Sequence, residues 1–507
     1  MAILALNGCS LTLTELVEAA RNPTTEVTLA PEAIPGIQRA AKAVAKFVSE
    51  GRIAYGITTG FGAFKDRLIP LEDVEKLQEN IILSHAVGTG PELPAEVVRA
   101  MMIIRANTLA KGHSGIRLET LELMLLLLNK NILPIIPSKG SLGASGDLAP
   151  LAHMALPLIG QGEVRFHGEV RPTMEVLQEN GLKPIRLSAK EGLALTNGTT
   201  LMTAIGALQV FDAEVVLKSA NCAAALSLEA QNGTLCAYFP QIHASRPQAM
   251  QAETAATLLD ILAGSDLTRP DNSLNVQDAY TLRCVPQVHG AIHSAINYAQ
   301  KVIETELNSV TDNPLLFFDE NDDVTILSGG NFHGEPLALA LDFLSIAMTD
   351  LGNISERRIA KLIDNHPEHY PSFLAAQGGL NSGFMLLQYT AAALCSENKT
   401  LAHPDSVDSI PSSGNVEDHV SMGANAALHC QQIIENVRTI IAIELMSAAQ
   451  AVEFRLRENP SLSLGQGTHK AYQKIREVVP FFEQDAYFKP SMDAVGEMIK
   501  QGKFTIA

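Results

Sequence analysis

A chain of 507 residues with 46% hydrophobic and 18% charged residues is long enough for a large buried core, and the composition excludes a disordered polymer. Lys plus Arg number 37 against 55 Asp plus Glu, and the formal charge of −18 argues against nucleic acid and anionic membrane surfaces as partners. The six cysteines (Cys9, Cys222, Cys236, Cys284, Cys395, Cys430) are scattered without CxxC spacing, which points to reduced thiols in a cytoplasmic protein rather than a disulfide frame or a zinc site.

Along the chain, the segment Met1-Ala2-Ile3-Leu4-Ala5-Leu6 lacks a basic n-region, so no signal peptide is expected. The apolar run Leu123–Leu128 is far short of the ~20 residues that cross a bilayer. Residues 163–170 predict a hairpin turning at His167-Gly168. Residues 205–230 are Ala/Leu-rich and free of proline, which predicts a long helix, and 231–270 is a mixed stretch that marks a soft boundary. Ile292, Ile296, Ala299, Ile303 and Leu307 step by four, three, four and four, which makes one apolar helical stripe. Residues 315–318 and 324–327 flank a turn-rich Asp319–Asp322 and predict a second hairpin. Further helices are predicted over 335–364 and 429–457, separated by a Pro/Ser/Gly loop at 403–415. The fold class is therefore mainly α with small β hairpins, divided into an N-terminal region, 1–230, and an elongated helical bundle, 231–507. Many long apolar helices need partners, within the chain or across subunits.

The most informative segment is Gly140-Ser-Leu-Gly-Ala-Ser-Gly-Asp-Leu-Ala-Pro150. Its ordinary reading is a small-residue turn before a helix, with Asp147 near the N-cap and Pro150 in the first turn. Its chemical reading starts from what such residues permit. A tight bend presses the Gly146 nitrogen onto the Ala144 carbonyl carbon, and only very small side chains allow that approach. Ring closure with loss of water, then loss of the Ser145 hydroxyl as a second water, leaves a methylidene-imidazolone. That ring is a strong electrophile which the standard side chains do not provide. A helix starting just after it aims positive dipole and free N–H groups at developing negative charge.

GSLGASGDLAPLAH resembles the signature of the aromatic amino acid ammonia-lyase and aminomutase superfamily, whose electrophile is this ring. YGITTGFG at 55–62, LTNGT at 195–199, QDAYTLRC at 277–284, SGGNFHGEP at 328–336 and SENKTLAHPDSVDSIPSSGNVEDHVSMG at 396–423 resemble it in the same order, so the likeness spans nearly the whole chain. The pair Ser84-His85 and the acid Glu417 resemble the histidine branch. A buried imidazole left without a partner costs on the order of 1–3 kcal/mol, and His85 can pair with one. Two positions depart from that branch: Thr58 where Asn is expected, as in the phenylalanine and tyrosine enzymes, and Val416 where Gln is common.

The resemblance implies elimination of ammonia from L-histidine to give urocanate. The alternative is a phenylalanine or tyrosine ammonia-lyase, or a 2,3-aminomutase, with the same electrophile. It implies a cofactor formed from Ala144-Ser145-Gly146 with no external one, a small amino acid as substrate, and a homotetramer with shared sites. Tyr55 is the first candidate for the base that takes the β-proton, with Tyr280 and Glu417 as competitors. A free tyrosine has a pKa of about 10, so a tyrosinate base needs stabilisation by the pocket. Arg283 is the candidate for the substrate carboxylate, through paired N–H bonds. Gln277, Tyr280 and Arg283 are spaced by three and fall in the turn before a helix that Pro286 opens. Asn197 is a candidate to hold the electrophile's oxygen or the substrate, and Phe332 to pack on the substrate ring. His333, His403 and His419 lack HExxH-like spacing, so no metal site is expected.

Overall fold

The computed structural model describes residues 2–272, 276–364 and 368–505. The chain is mainly helical, with long helices at Thr200–Ala230, Val285–Leu307, Glu335–Leu362 and Gly423–Glu458. The five stripe residues from Ile292 to Leu307 are all buried, so the period-3.6 pattern marks a core face. Pro286 is the second residue of its helix, where the missing N–H costs nothing. The helix expected from residue 205 begins at Thr200, because the Asp147 carboxylate accepts the Met202 N–H at 3.0 Å and satisfies a free first-turn donor. In the mixed stretch 231–270, Ala249–Ile261 is helical.

The sheets are small. Glu163–Phe166 pairs antiparallel with Glu169–Pro172, and the turn residues His167 and Gly168 both take positive φ, which a two-residue hairpin of this twist requires. Leu315–Phe318 pairs with Val324–Leu327 as expected, and Ile3–Leu6 pairs parallel with Glu26–Leu29. Thr200–Ala230 and Glu335–Leu362 are long and apolar enough to cross a membrane by length and composition. However, 83% and 67% of their apolar windows are buried, the burial of core helices.

The chain forms two compact units, each discontinuous in sequence. The first comprises Met1–Leu208, Gln300–Asp342 and Pro404–Leu428, and the second Gln209–Ala299, Phe343–His403 and His429–Ala507. The division expected at 230/231 follows chain order instead. In the first unit, Val44, Phe47, Ile57 and Leu316 share a core cluster. In the second, Leu228, Tyr238, Leu258 and Val285 do so.

The second unit also buries an ion pair. Arg358 Nε and Nη2 donate to the two Glu444 carboxylate oxygens at 2.6 and 2.9 Å, and the hydroxyls of Ser227 and Ser355 complete the set at 2.8 and 2.6 Å. Both charged side chains are fully buried. Removing one partner leaves an uncompensated charge, so Glu444→Ala lowers unfolding free energy by about 3–5 kcal/mol. Chemical denaturation measures this, and a loss under about 1 kcal/mol contradicts it.

Candidate active site

A cavity of about 910 Å³ in the first unit collects residues that lie far apart in sequence, among them Tyr55, His85, Ser145, Asn197, Phe332 and Glu417. Each is brought by a short local device. The helix Val74–His85 ends at His85, and Asn197 is the C-cap of the short helix Glu191–Thr196. Tyr55 sits in the loop of buried glycines and threonines at 55–60, where its hydroxyl accepts the Gly62 N–H at 3.3 Å.

The Ala144–Gly146 loop is held from three sides. Gly146 has φ +74°, and a Cβ there would lie 2.2 Å from the Gly198 carbonyl oxygen, so only glycine fits. The Ser145 carbonyl accepts from Asn197 Nδ2 at 2.8 Å and from the Gly198 N–H at 3.4 Å. Ala144 packs on Val420 and Met422, and the Met422 N–H donates to the Leu142 carbonyl at 3.1 Å. That packing ties the loop to the segment carrying Glu417.

Glu417 faces the loop directly. Its Oε1 accepts the Ser145 hydroxyl at 3.1 Å, and its Oε2 accepts those of Ser412, at 3.1 Å, and Ser413. The two serines were not singled out from sequence, although the Ser-Ser-Gly-Asn run just before Val416 is the signal that points to them. His85 is fixed by the Ser84 hydroxyl, 2.9 Å from Nδ1. Burial lowers the His85 pKa below its ordinary 6.5. The Ile81 carbonyl and the Glu417 charge oppose that shift without reversing it, so the ring is neutral at pH 7.

Asp147 occupies the N-cap position expected of it, yet its side chain turns elsewhere, to the Met202 N–H and the Ser141 hydroxyl, the latter at 2.9 Å. Burial raises its pKa from 3.8 to about 6, against the lowering effect of those hydrogen bonds. Because the folded value lies above the unfolded one, the contribution to stability is full below pH 3.8 and is lost as pH rises through 6. Subtracting the stability–pH profile of Asp147→Asn from that of the wild type isolates a fall of about 3 kcal/mol across this window. A flat difference profile refutes the assignment.

Thr58, the departure from the histidine pattern, is buried. Its hydroxyl donates to the Arg52 carbonyl at 2.8 Å and accepts the Ala54 N–H at 3.0 Å. It does not line the cavity, whereas Val416, the other departure, does. Gln277, Tyr280 and Arg283 belong to the second unit and are not among the cavity's lining residues. Tyr280 and Arg283 bound a single helical turn, Tyr280 is 72% exposed, and the Arg283 guanidinium lies 4.4 Å from the Tyr280 ring centre.

Comparisons with known proteins place the chain among its relatives. The family model for aromatic amino acid lyases matches residues 11–477. A histidine ammonia-lyase of Chloroflexus aurantiacus is 55% identical over 99% of this chain and 97% of its own. One from Symbiobacterium thermophilum is 50% identical over 99% and 97%. The crystal structure of histidine ammonia-lyase from Trypanosoma cruzi superposes with a TM-score of 0.91 at 41% identity, covering 99% of this chain and 94% of that one. Tyrosine aminomutase from Streptomyces globisporus gives 0.93 at 36% identity, covering 99% and 98%. A mainly helical chain with this cavity is thus a carbon–nitrogen lyase. More particularly, it belongs to the aromatic amino acid lyase family.

Proposed function

We propose that the protein is a histidine ammonia-lyase, converting L-histidine to urocanate and ammonia. The observation that carries the reading is the meeting of the Ala144-Ser145-Gly146 loop with His85 and Glu417 in one cavity. The loop suits a methylidene-imidazolone: its side chains are minimal, Gly146 is already at positive φ against Gly198, and Asn197 and Gly198 aim N–H groups at the Ser145 carbonyl. Such a ring supplies an electrophile that turns the substrate's amine into a better leaving group.

The chain's own residues do the rest. His85 pairs with the substrate imidazole while Ser84 fixes its ring. Phe332 packs against that imidazole. Tyr55 takes the β-proton, with Glu417 the competitor that shares the cavity, and the Cα–N bond breaks as the double bond forms. Glu417 Oε1 is held by the very hydroxyl that ring formation removes, which leaves that oxygen for the substrate. Gln277, Tyr280 and Arg283 reach the site from another copy in a homotetramer, Arg283 holding the substrate carboxylate. The enzyme works in the cytoplasm, on a small amino acid.

A second reading, a tyrosine or phenylalanine lyase or a 2,3-aminomutase, is favoured by the structural likeness to tyrosine aminomutase. Incubation with histidine, phenylalanine and tyrosine, with product identification, decides between them. Urocanate from histidine is expected. A β-amino acid, or turnover of tyrosine or phenylalanine without histidine, rejects the reading.

A further inference from the structure

Beside the cavity, residues 86 positions apart in sequence converge on one point. The side-chain ligand atoms of His333, Glu335 and His419 all lie within 4.8 Å of one another. The two imidazoles are nearly parallel, 9° apart, with centroids 5.8 Å apart. Glu335 Oε2 is shielded from solvent and has no hydrogen-bond partner among the described residues. A carboxylate oxygen in that position is costly until a donor or a cation satisfies it, and two imidazoles beside it make a cation the fitting partner.

We propose that His333, Glu335 and His419 form a binding site for a divalent transition-metal cation of the zinc type. Two imidazoles and a carboxylate are a donor set that suits zinc, cobalt or nickel better than calcium or magnesium, and water completes a fourth position. Donor atoms around one tetrahedral zinc sit roughly 3.3 Å apart, so the cluster must tighten by about 1.5 Å. His419 is exposed and has room to move. Both existing contacts of the His333 ring are long and easily released. Nε2 lies 3.3 Å from the His419 carbonyl, and Nδ1 accepts the Glu335 N–H at 3.3 Å. The spacing of the histidines along the chain carries no sign of such a site. It exists because folding brings residue 419 onto the segment at 333–335.

The position gives the site a role. His333 follows Phe332, and His419 lies two residues beyond Glu417. A cation shared between them joins two segments that wall the cavity and fixes their separation, acting from outside the reacting groups.

The test is cobalt(II) titration of the chelator-treated full-length protein without substrate, so its outcome is independent of which amino acid is turned over. One equivalent per chain is expected, with a visible ligand-field spectrum of nitrogen and oxygen donors, together with a raised Tm. His419→Asn and Glu335→Gln each weaken binding at least about tenfold, since even outer-shell changes cost that much, and His333→Asn/His419→Asn removes it. Circular dichroism checks the fold of each variant, and His419→Asn, at an exposed position, remains decisive if the double variant does not fold. No uptake by the wild type, a thiolate charge-transfer band, or undiminished uptake by His419→Asn overturns the proposal.

Discussion

Ser145→Ala is expected to reduce ammonia elimination by at least about a thousandfold and to leave a chain of full, unmodified mass, whereas the wild type is lighter by two waters. The size of the effect follows from chemistry rather than stability. A β-proton next to an ordinary ammonium is weakly acidic and the amine leaves poorly, so without an electrophile the barrier rises by several kcal/mol, each 1.36 of which is tenfold in rate. The substitution itself is mild. Ser145 is only half-buried, its hydroxyl meets Glu417 at 3.1 Å, and its carbonyl contacts to Asn197 and Gly198 persist in alanine. A folded Ser145→Ala protein of wild-type activity, or a wild type of full mass, removes the basis of the proposed chemistry.

Much of this site is legible in the sequence because its chemistry is local. The proposed ring starts from three small consecutive residues, which a run such as Gly143-Ala-Ser-Gly146 announces, while the hold on that loop comes from Asn197, Gly198 and Val420. The helices are equally legible, since a stripe such as Ile292–Leu307 states both its conformation and its buried face. What the sequence does not display is whatever depends on distant pairing. Gly198 looks like half of an Asn-Gly turn, yet it is glycine because Gly146 packs against its carbonyl and Arg105 and Thr311 leave no room for a Cβ. The buried Lys190–Asp312 pair at 2.7 Å joins residues 122 apart, and neither flanking sequence hints at its partner. Thr58 is the reverse case. Its place in a motif marks a departure from the histidine branch, and its hydroxyl is consumed within its own loop. The helix start at 200 is also hidden, because a start fixed by a remote cap such as Asp147 leaves no mark in local periodicity.

His85→Leu is expected to lower kcat/KM for histidine by about 10- to 150-fold and to raise the relative rate with phenylalanine or tyrosine. That range corresponds to about 1.4–3 kcal/mol, within the cost of about 1–3 kcal/mol for a buried substrate imidazole left without a partner. Helix position alone would favour a charged histidine, since His85 closes Val74–His85 where the dipole is negative. Burial outweighs that effect and lowers the pKa, so the ring that meets the substrate at neutral pH is uncharged and both donates and accepts. The acid limb of kcat/KM should therefore contain a group below pH 6.5 that the leucine variant lacks. Ser84→Ala is the milder companion: it frees the ring from the hydroxyl 2.9 Å from Nδ1 and should raise KM by a few-fold while keeping the substrate order. An unchanged histidine preference in His85→Leu, with the acid limb intact, would transfer the selection of the imidazole to other walls of the cavity, Val416 and Glu417 first among them.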